Sequence, residues 1–346
     1  MRSESGATAG PLAVVIPNLN GGSALLDAVG SLYAQTLPVQ VVVVDNASSD
    51  GSVEVLQTNY PDVVVLRNRV NLGYAGGVNP GMRLCLDRGY EFVGVFNDDA
   101  IADRNWAEEL VADLRVSPAC GAATSKVLDS DGVTIDSVGD CYTAWGLAFP
   151  RGRGEVDRGQ YDGQQDVFGA SGAACVFRAD ALRDVGLFDE SFFAYFEDVD
   201  LSFRLQLAGW GIRYVPSARV LHARGMTSAK MHGFVTYQTM KNLPLVAFKN
   251  MPWRGLMKAL PILTFSQIAL TLWAIRRGQG LAALRGSRDG LRLILQKRGE
   301  RQDIQGGAVV GYGRLKRIFS QGVPPDRPDL DFIEDLVARV GGWIQR

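Results

Sequence analysis

Between residues 12 and 96 the chain alternates valine-rich apolar runs with longer mixed stretches, and each run opens into polar residues. LAVVIP (12–17), VQVVVVD (39–45), VVVLR (63–67) and YEFVGVF (90–96) read as short buried strands bounded by Pro, Gly, Asn or Asp. SALLDAVGSLYAQ, GSVEVLQTNY and AGGVNPGMRLCLDRG fall between them as helices, the last interrupted early by Pro80. Strand and helix repeated in this way predict an α/β protein with a doubly wound, mostly parallel, Rossmann-like sheet that binds ligands at the carboxyl ends of its strands.

The residues at those ends have a common chemistry. The first run is followed by Pro17, Asn18 and Asn20; the second ends in Asp45, Asn46, Ser48 and Asp50; the third leads to Asn71 and to glycines 73, 76 and 77. Asp and Asn can pair with the imide and carbonyl edge of a pyrimidine, and glycine lets backbone approach a ribose or phosphate. The same residue types also cap helices and make turns. Three such clusters at successive strand ends favour one ligand crevice over three unrelated turns.

The fourth run ends in Asn97, Asp98 and Asp99. Carboxylates at the mouth of an apolar strand need a cation, hydrogen bonds or water. A dinucleotide fold would place G-x-G-x-x-G after the first strand, where this chain has PNLNGGS. A nucleotidyltransferase would need basic groups near that strand, yet residues 11–66 contain no Lys, Arg or His. A diphosphate bound here would have to be neutralised by a hard divalent cation on oxygen ligands, Mg2+ or Mn2+.

A second acidic group lies in YFEDVDLSFRL, residues 195–205. Leu201, Leu205 and Ala208 recur at helical spacing, which puts Glu197, Asp198 and Asp200 in a first helical turn. Acids there complement the helix dipole in any protein, so position alone leaves a structural role open.

Taken in order, VVIPNLNGG, VVVVDNASSDGS, NLGYAGG, FNDDA and GASGAACVFRADALRDVGLFDESFFAYFEDVDLSFRLQLAGWGIRYVPSARVLH resemble the inverting glycosyltransferases of family 2, which have the GT-A fold. The likeness covers roughly residues 11–230 and is closest to rhamnosyltransferase-like enzymes of cell-wall and polysaccharide assembly. It implies a nucleotide-sugar pocket on Pro17, Asn20, Asp45, Asn71 and Gly73, with Asn97 and Asp98 beside it, a metal on Asp99 and His222, and a catalytic base at Asp198 next to Glu197. Asn97 stands where the family's motif begins with Asp, and Leu19 where many relatives have an aromatic residue. The implied reaction moves a sugar, L-rhamnose from dTDP-rhamnose in the first instance, onto a lipid-linked or polysaccharide acceptor. A UDP-sugar donor and a non-catalytic nucleotide-sugar binding module are the alternatives.

The chain's 346 residues are divided as a donor half (1–125), an acceptor and catalytic half (126–240) and a helical basic region (241–346) that ends in a short amphipathic helix. Between residues 241 and 301, twelve Lys and Arg face only Asp289 and Glu300, although the whole chain carries a net charge of −1. The apolar stretch 259–275 would extend about 25 Å as a helix, short of a ~30 Å hydrocarbon core. It is therefore expected to lie in an anionic membrane surface, with a buried packing helix as the alternative. Four cysteines without metal-ligand spacing and an N-terminus unlike a signal peptide point to a cytoplasmic location at the inner face of the membrane. No nucleic-acid partner is expected.

Overall fold

Valine's branched Cβ suits the pleated strand, and the four apolar runs form strands within two residues of their expected bounds. The computed structural model describes residues 10–223 and 232–320, with 322 and 326. Residues 1–9 and the C-terminal amphipathic helix read from the sequence lie outside the described residues.

The chain begins β1 (Leu12–Asn18), α1 (Gly22–Tyr33), β2 (Gln40–Asp45), α2 (Ser52–Asn59), β3 (Val64–Arg67), α3 (Gly73–Asp87) and β4 (Phe92–Phe96). It continues through β5 (Ala100–Ala102), α4 (Trp106–Val116), β6 (Cys120–Asp129), β7 (Ile135–Ser137), β8 (Asp140–Tyr142), β9 (Ala148–Pro150), β10 (Ala174–Arg178), α5 (Ala179–Val185), α6 (Glu197–Leu207) and β11 (Gly211–His222). Helices α7 (Phe234–Asn250), α8 (Trp253–Arg276), α9 (Gly280–Gln296), α10 (Arg298–Gly307) and α11 (Tyr312–Ile318) complete the described chain.

The sheet order is β3-β2-β1-β4-β10-β6-β11-β5, with β7 on the side of β6. Strands β3, β2, β1 and β4 are parallel, as the alternation implied. The second half is mixed, because β10 runs antiparallel to both β4 and β6. Successive residues point to opposite faces, so Leu12, Val14 and Ile16 pack toward Leu25 and Trp106, while Ala13 and Val15 pack toward Val78 and Met82. Burial on both faces explains why the strands read as continuous apolar runs.

Pro80 does not interrupt α3, contrary to the sequence expectation. The lost N–H leaves the Gly76 carbonyl without its helical donor, and the Asn68 side-chain amide approaches that carbonyl at 3.5 Å. Gly81 admits the helix against the sheet, since a Cβ there would lie 2.5 Å from Val15 Cγ1.

The C-terminal helices are bound to the sheet domain by buried charge. Lys249 of α7, wholly buried, has Nζ 2.6 Å from Asp189, 3.0 Å from Asp200 and 2.7 Å from Glu300. Asp200 of α6 also receives Arg204 at 3.0 Å and Asn250 at 2.7 Å, and Asp189 receives Lys297 at 2.8 Å. The basic count of the sequence therefore overstated the charge offered to a surface: Lys249 and Lys297 are used internally, Lys241 donates to the Ser191 and Phe192 carbonyls, and Arg301 to that of Met251. The partners named here lie 49 or more residues away in sequence, which is why composition missed them.

Removing one member of a buried ion network leaves the others unpaired. Lys249→Met is expected to lower unfolding free energy by about 3–5 kcal/mol, measured by urea denaturation; a loss below about 1 kcal/mol would show that the network is dispensable.

Candidate active site

Parallel pairing sets the crevice. Asn18 lies opposite Asp45 at the ends of β1 and β2, and β4 delivers Asn97–Asp99 next to them. Buried Asn18 donates to Ser48 Oγ at 3.0 Å and accepts from the Gly21 N–H, locking the two loops together. Asn20 adopts a left-handed φ of 56° and accepts from the Ser49 N–H at 2.8 Å. Buried Asp45 accepts from the Ser48 N–H through Oδ1, and its second oxygen has no partner among the described residues. Asp50 binds the Gly22 and Ser52 N–H groups, the capping and bridging role that its residue type allowed.

The third cluster is arranged by a residue that the sequence reading gave no separate task. Asn46, buried, donates to Asn71 Oδ1 and the Gly73 carbonyl and accepts from Asn68 and the Leu72 N–H. Asn71 is exposed and also accepts from the Gly73 N–H. Pro17 sits beside Gly77, whose added Cβ would lie 3.4 Å from the Pro17 Cβ. Gly73, at φ 73°, is covered by the Phe193 carbonyl, which an added Cβ would meet at 2.2 Å. Its lack of a side chain serves that contact.

His222 joins the fourth cluster through a defect in β11. The register with β6 shifts between Val215 and Arg219, a segment containing Pro216, which cannot donate to the ladder. Beyond the shift, β11 pairs antiparallel with β5, and His222 lies opposite Ala100. Its Nε2 is 3.0 Å from Asp99 Oδ1 and 3.1 Å from the Asn97 amide, and its Nδ1 is 2.8 Å from Asp136 Oδ2. Arg153 in turn pairs with Asp136 at 2.8 Å. Burial opposes the imidazolium, but the Asp136 and Asp99 carboxylates outweigh it and push the His222 pKa up to about 9. At Asp98 the His222 charge opposes the shift only weakly. Burial and the neighbouring Asp99 push its carboxyl up to about 7.

No ready-made cluster of three or more acidic, His or Cys ligands exists among the described residues. The donor set at Asp98, Asp99 and His222 nevertheless suits a hard divalent cation: carboxylate oxygens with one imidazole, two mutually repelling acids, and a ring nitrogen that would exchange its proton for metal.

The second acidic group starts α6. Asp198 is partly buried, with Oδ2 accepting from the Gly172 N–H at 3.1 Å and Oδ1 from the Val199 N–H at 2.8 Å. Burial raises its pKa. Glu197 is buried with Oε2 unpaired, and burial together with Asp198 drives its carboxyl well above the usual range. Asp140 behaves likewise, raised by burial and then by Asp198, with Oδ2 unpaired. The two acidic groups meet through the β4–β10 ladder: the Asn97 N–H donates to the Ala173 carbonyl, and Gly172 holds Asp198. The Tyr74 hydroxyl donates to the Gly172 carbonyl.

The turn before α6 is strained, with positive φ at Phe193, Tyr195 and Phe196. The Asn242 amide of α7 lies 2.8–3.0 Å from the carbonyls of Phe192, Ala194 and Tyr195. Asn242, Asp136, Asp140 and Arg153 were invisible in sequence because they fall in no motif and act across long separations.

A family model described as glycosyltransferase like family 2 matches residues 9–235. The N-acetylglucosaminyl-diphospho-decaprenol L-rhamnosyltransferase of Mycobacterium tuberculosis is 32% identical over 212 residues, covering 56% of this chain and 69% of that one. A mannosyltransferase from Pyrobaculum calidifontis, solved with GDP-Man and Mn2+, is 16% identical with a TM-score of 0.52, over 87% of this chain and 85% of that one. The 1–349 portion of S. aureus TarS, solved with UDP-GlcNAc, is 16% identical with a TM-score of 0.54, over 85% and 89%. At such identities the two structures speak to the fold.

The Asp136–His222 pair has a testable pH signature. Its folded pKa of about 9 exceeds the ordinary value of ~6.5, so its stabilisation is complete below pH ~6.5 and is lost as pH rises through about 9. In protein freed of divalent cations, the melting temperature should fall across that interval, and Asp136→Asn should flatten the fall and bring the His222 titration seen by NMR down toward ~6.5. A wild-type His222 that already titrates near ~6.5 would refute the pairing.

Proposed function

The chain belongs to glycosyltransferase like family 2 and has the GT-A fold, and from that premise we propose that it transfers a sugar from a pyrimidine nucleoside diphosphate to an alcohol acceptor with inversion. The observation that carries the reading is the Asp198 carboxylate, held on the Gly172 N–H next to Ala173, whose carbonyl accepts from the Asn97 N–H that precedes Asp98 and Asp99. An acceptor hydroxyl is a poor nucleophile until its proton is being removed, and Asp198 would take that proton as the oxygen attacks the anomeric carbon. Attack opposite the departing diphosphate inverts the centre. A carboxyl with a pKa raised by burial is a stronger base than a solvated one, which suits this task. Glu197, whose carboxyl burial and Asp198 push well above the usual range, would orient the acceptor or the turn before α6.

On the donor side, the open oxygen of Asp45 and the exposed amide of Asn71 are the groups proposed to read the base, with Pro17 and Asn20 shaping its slot. Asp99, Asp98 and His222 would hold Mg2+ or Mn2+, which supplies charge neutralisation to a diphosphate leaving group when bound. The division into a donor half (1–125), an acceptor half (126–240) and a C-terminal helical region belongs to the same proposal.

L-rhamnose from dTDP-rhamnose and a lipid-linked acceptor are the specific proposal, supported by the name of the mycobacterial relative. A lipid-linked acceptor would place the enzyme at a bilayer, and residues 259–275, within α8, are the segment expected to lie in the cytoplasmic membrane surface. Helix α8 is long and apolar enough to span, but its buried Leu256, Ala259, Ile262 and Leu263 are packed on the protein, which favours a surface position.

Asp198→Asn keeps size and most hydrogen bonding but cannot accept a proton, so sugar transfer should fall ~10²-fold or more while calorimetric donor affinity survives. Near wild-type turnover in Asp198→Asn, with loss in Glu197→Gln, would move the base to Glu197. Chelation by EDTA and Asp99→Ala should each abolish transfer; full activity in excess EDTA would remove the cation from the scheme.

A further inference from the structure

Helix α9 exposes most of its large apolar residues, unlike an ordinary surface helix. A soluble surface helix directs its large apolar residues inward. Here the inward face keeps Leu293 and Ile294 only at its C-terminal end and is otherwise made of Ala283, Gly286 and Gly290, packed so closely on α7 that a Cβ on Gly286 would lie 2.4 Å from the Tyr237 carbonyl oxygen, and one on Gly290 2.6 Å from that of Lys241. No larger side chain fits that seam. Leu281, Leu284, Leu291 and Leu295 consequently face outward, each between 56% and 63% exposed. With Arg288 they recur every three or four residues along one stripe, flanked by exposed Arg285 and Arg292.

Helix α8 precedes α9 across a short turn, Ile275 packing against Gly280, and it too exposes large apolar residues, among them Leu260, Ile268 and Leu272. Arg254, Lys258 and Arg276 lie along it without acidic partners among the described residues. The only acid on α9 is Asp289, paired with Arg288 and Arg292.

We infer that α9 is a second membrane-docking element, and that α8 and α9 together seat the protein on a bilayer of anionic phospholipid. The leucines would enter the acyl boundary while the arginines meet headgroup phosphates, the division of labour of an interfacial amphipathic helix. A second copy of the chain is a poor occupant, because pairing this face with itself would oppose arginine to arginine with almost no acid between them. The inference extends the surface position proposed for α8 and does not depend on which sugar is transferred.

The test is co-sedimentation of the full chain with vesicles of phosphatidylcholine, alone or mixed with phosphatidylglycerol. Leu284→Ser with Leu291→Ser should lower partitioning onto the mixed vesicles about tenfold or more, at unchanged melting temperature, since both side chains are solvent-exposed in the free protein. Arg285→Gln with Arg292→Gln should remove the preference for phosphatidylglycerol and the sensitivity to salt. Partitioning of the leucine variant within about twofold of wild type would overturn the proposal; so would a lipid-free dimer that the same leucine changes dissociate. Ile268→Ser with Leu272→Ser separates the two readings: if only this α8 pair abolishes binding, α9 is not a docking element although α8 is, and if neither pair matters both readings fail.

Discussion

Lys249 is a cation removed from water, and it is tolerated because Asp189, Asp200 and Glu300 surround it. These partners come from the turn before α6, from α6 and from α10, so one ammonium, together with the apolar contact of Phe203 and Phe192 with Leu245 and Leu256, ties the C-terminal helices to the sheet domain. The position of Asp198 depends on this, since Asp198 and Asp200 share the first turn of α6. So does the strained turn at 193–196, whose carbonyls the Asn242 amide holds from the same helix α7. The C-terminal helices are therefore part of the site's support, and the exposed face of α9 rests on the same α7 that carries Lys249.

The crevice concentrates negative charge and neutralises it unequally. Asp136 is balanced by Arg153 and His222, and Asp99 by His222. Asp98, Asp140 and Glu197 have no comparable partner, and burial drives all three toward the protonated state. Asp198 lies between these regimes, held by two backbone N–H groups and raised by burial. Neighbouring carboxyls with different environments are what separates a group that holds a proton from one that can accept it.

Much of this was legible in sequence, for local reasons. Alternation of valine runs with helical stretches fixes the parallel half of the sheet, because each strand must bury both faces and each crossover needs a helix. The same alternation places Asp45, Asn71 and Asn97–Asp99 at carboxyl strand ends, and acids ahead of an apolar helical stripe place Glu197 and Asp198 in a first turn. Tertiary structure decided what depends on partners far along the chain. The antiparallel insertion of β10 brings Gly172 to Asp198 and joins the two acidic groups. The shift at Pro216 carries His222 to Asp99, and Asp136 reaches that histidine across 86 residues. A count of lysines and arginines cannot tell a buried hub from a solvated rim, because charge is a property of the residue and its desolvation a property of the fold.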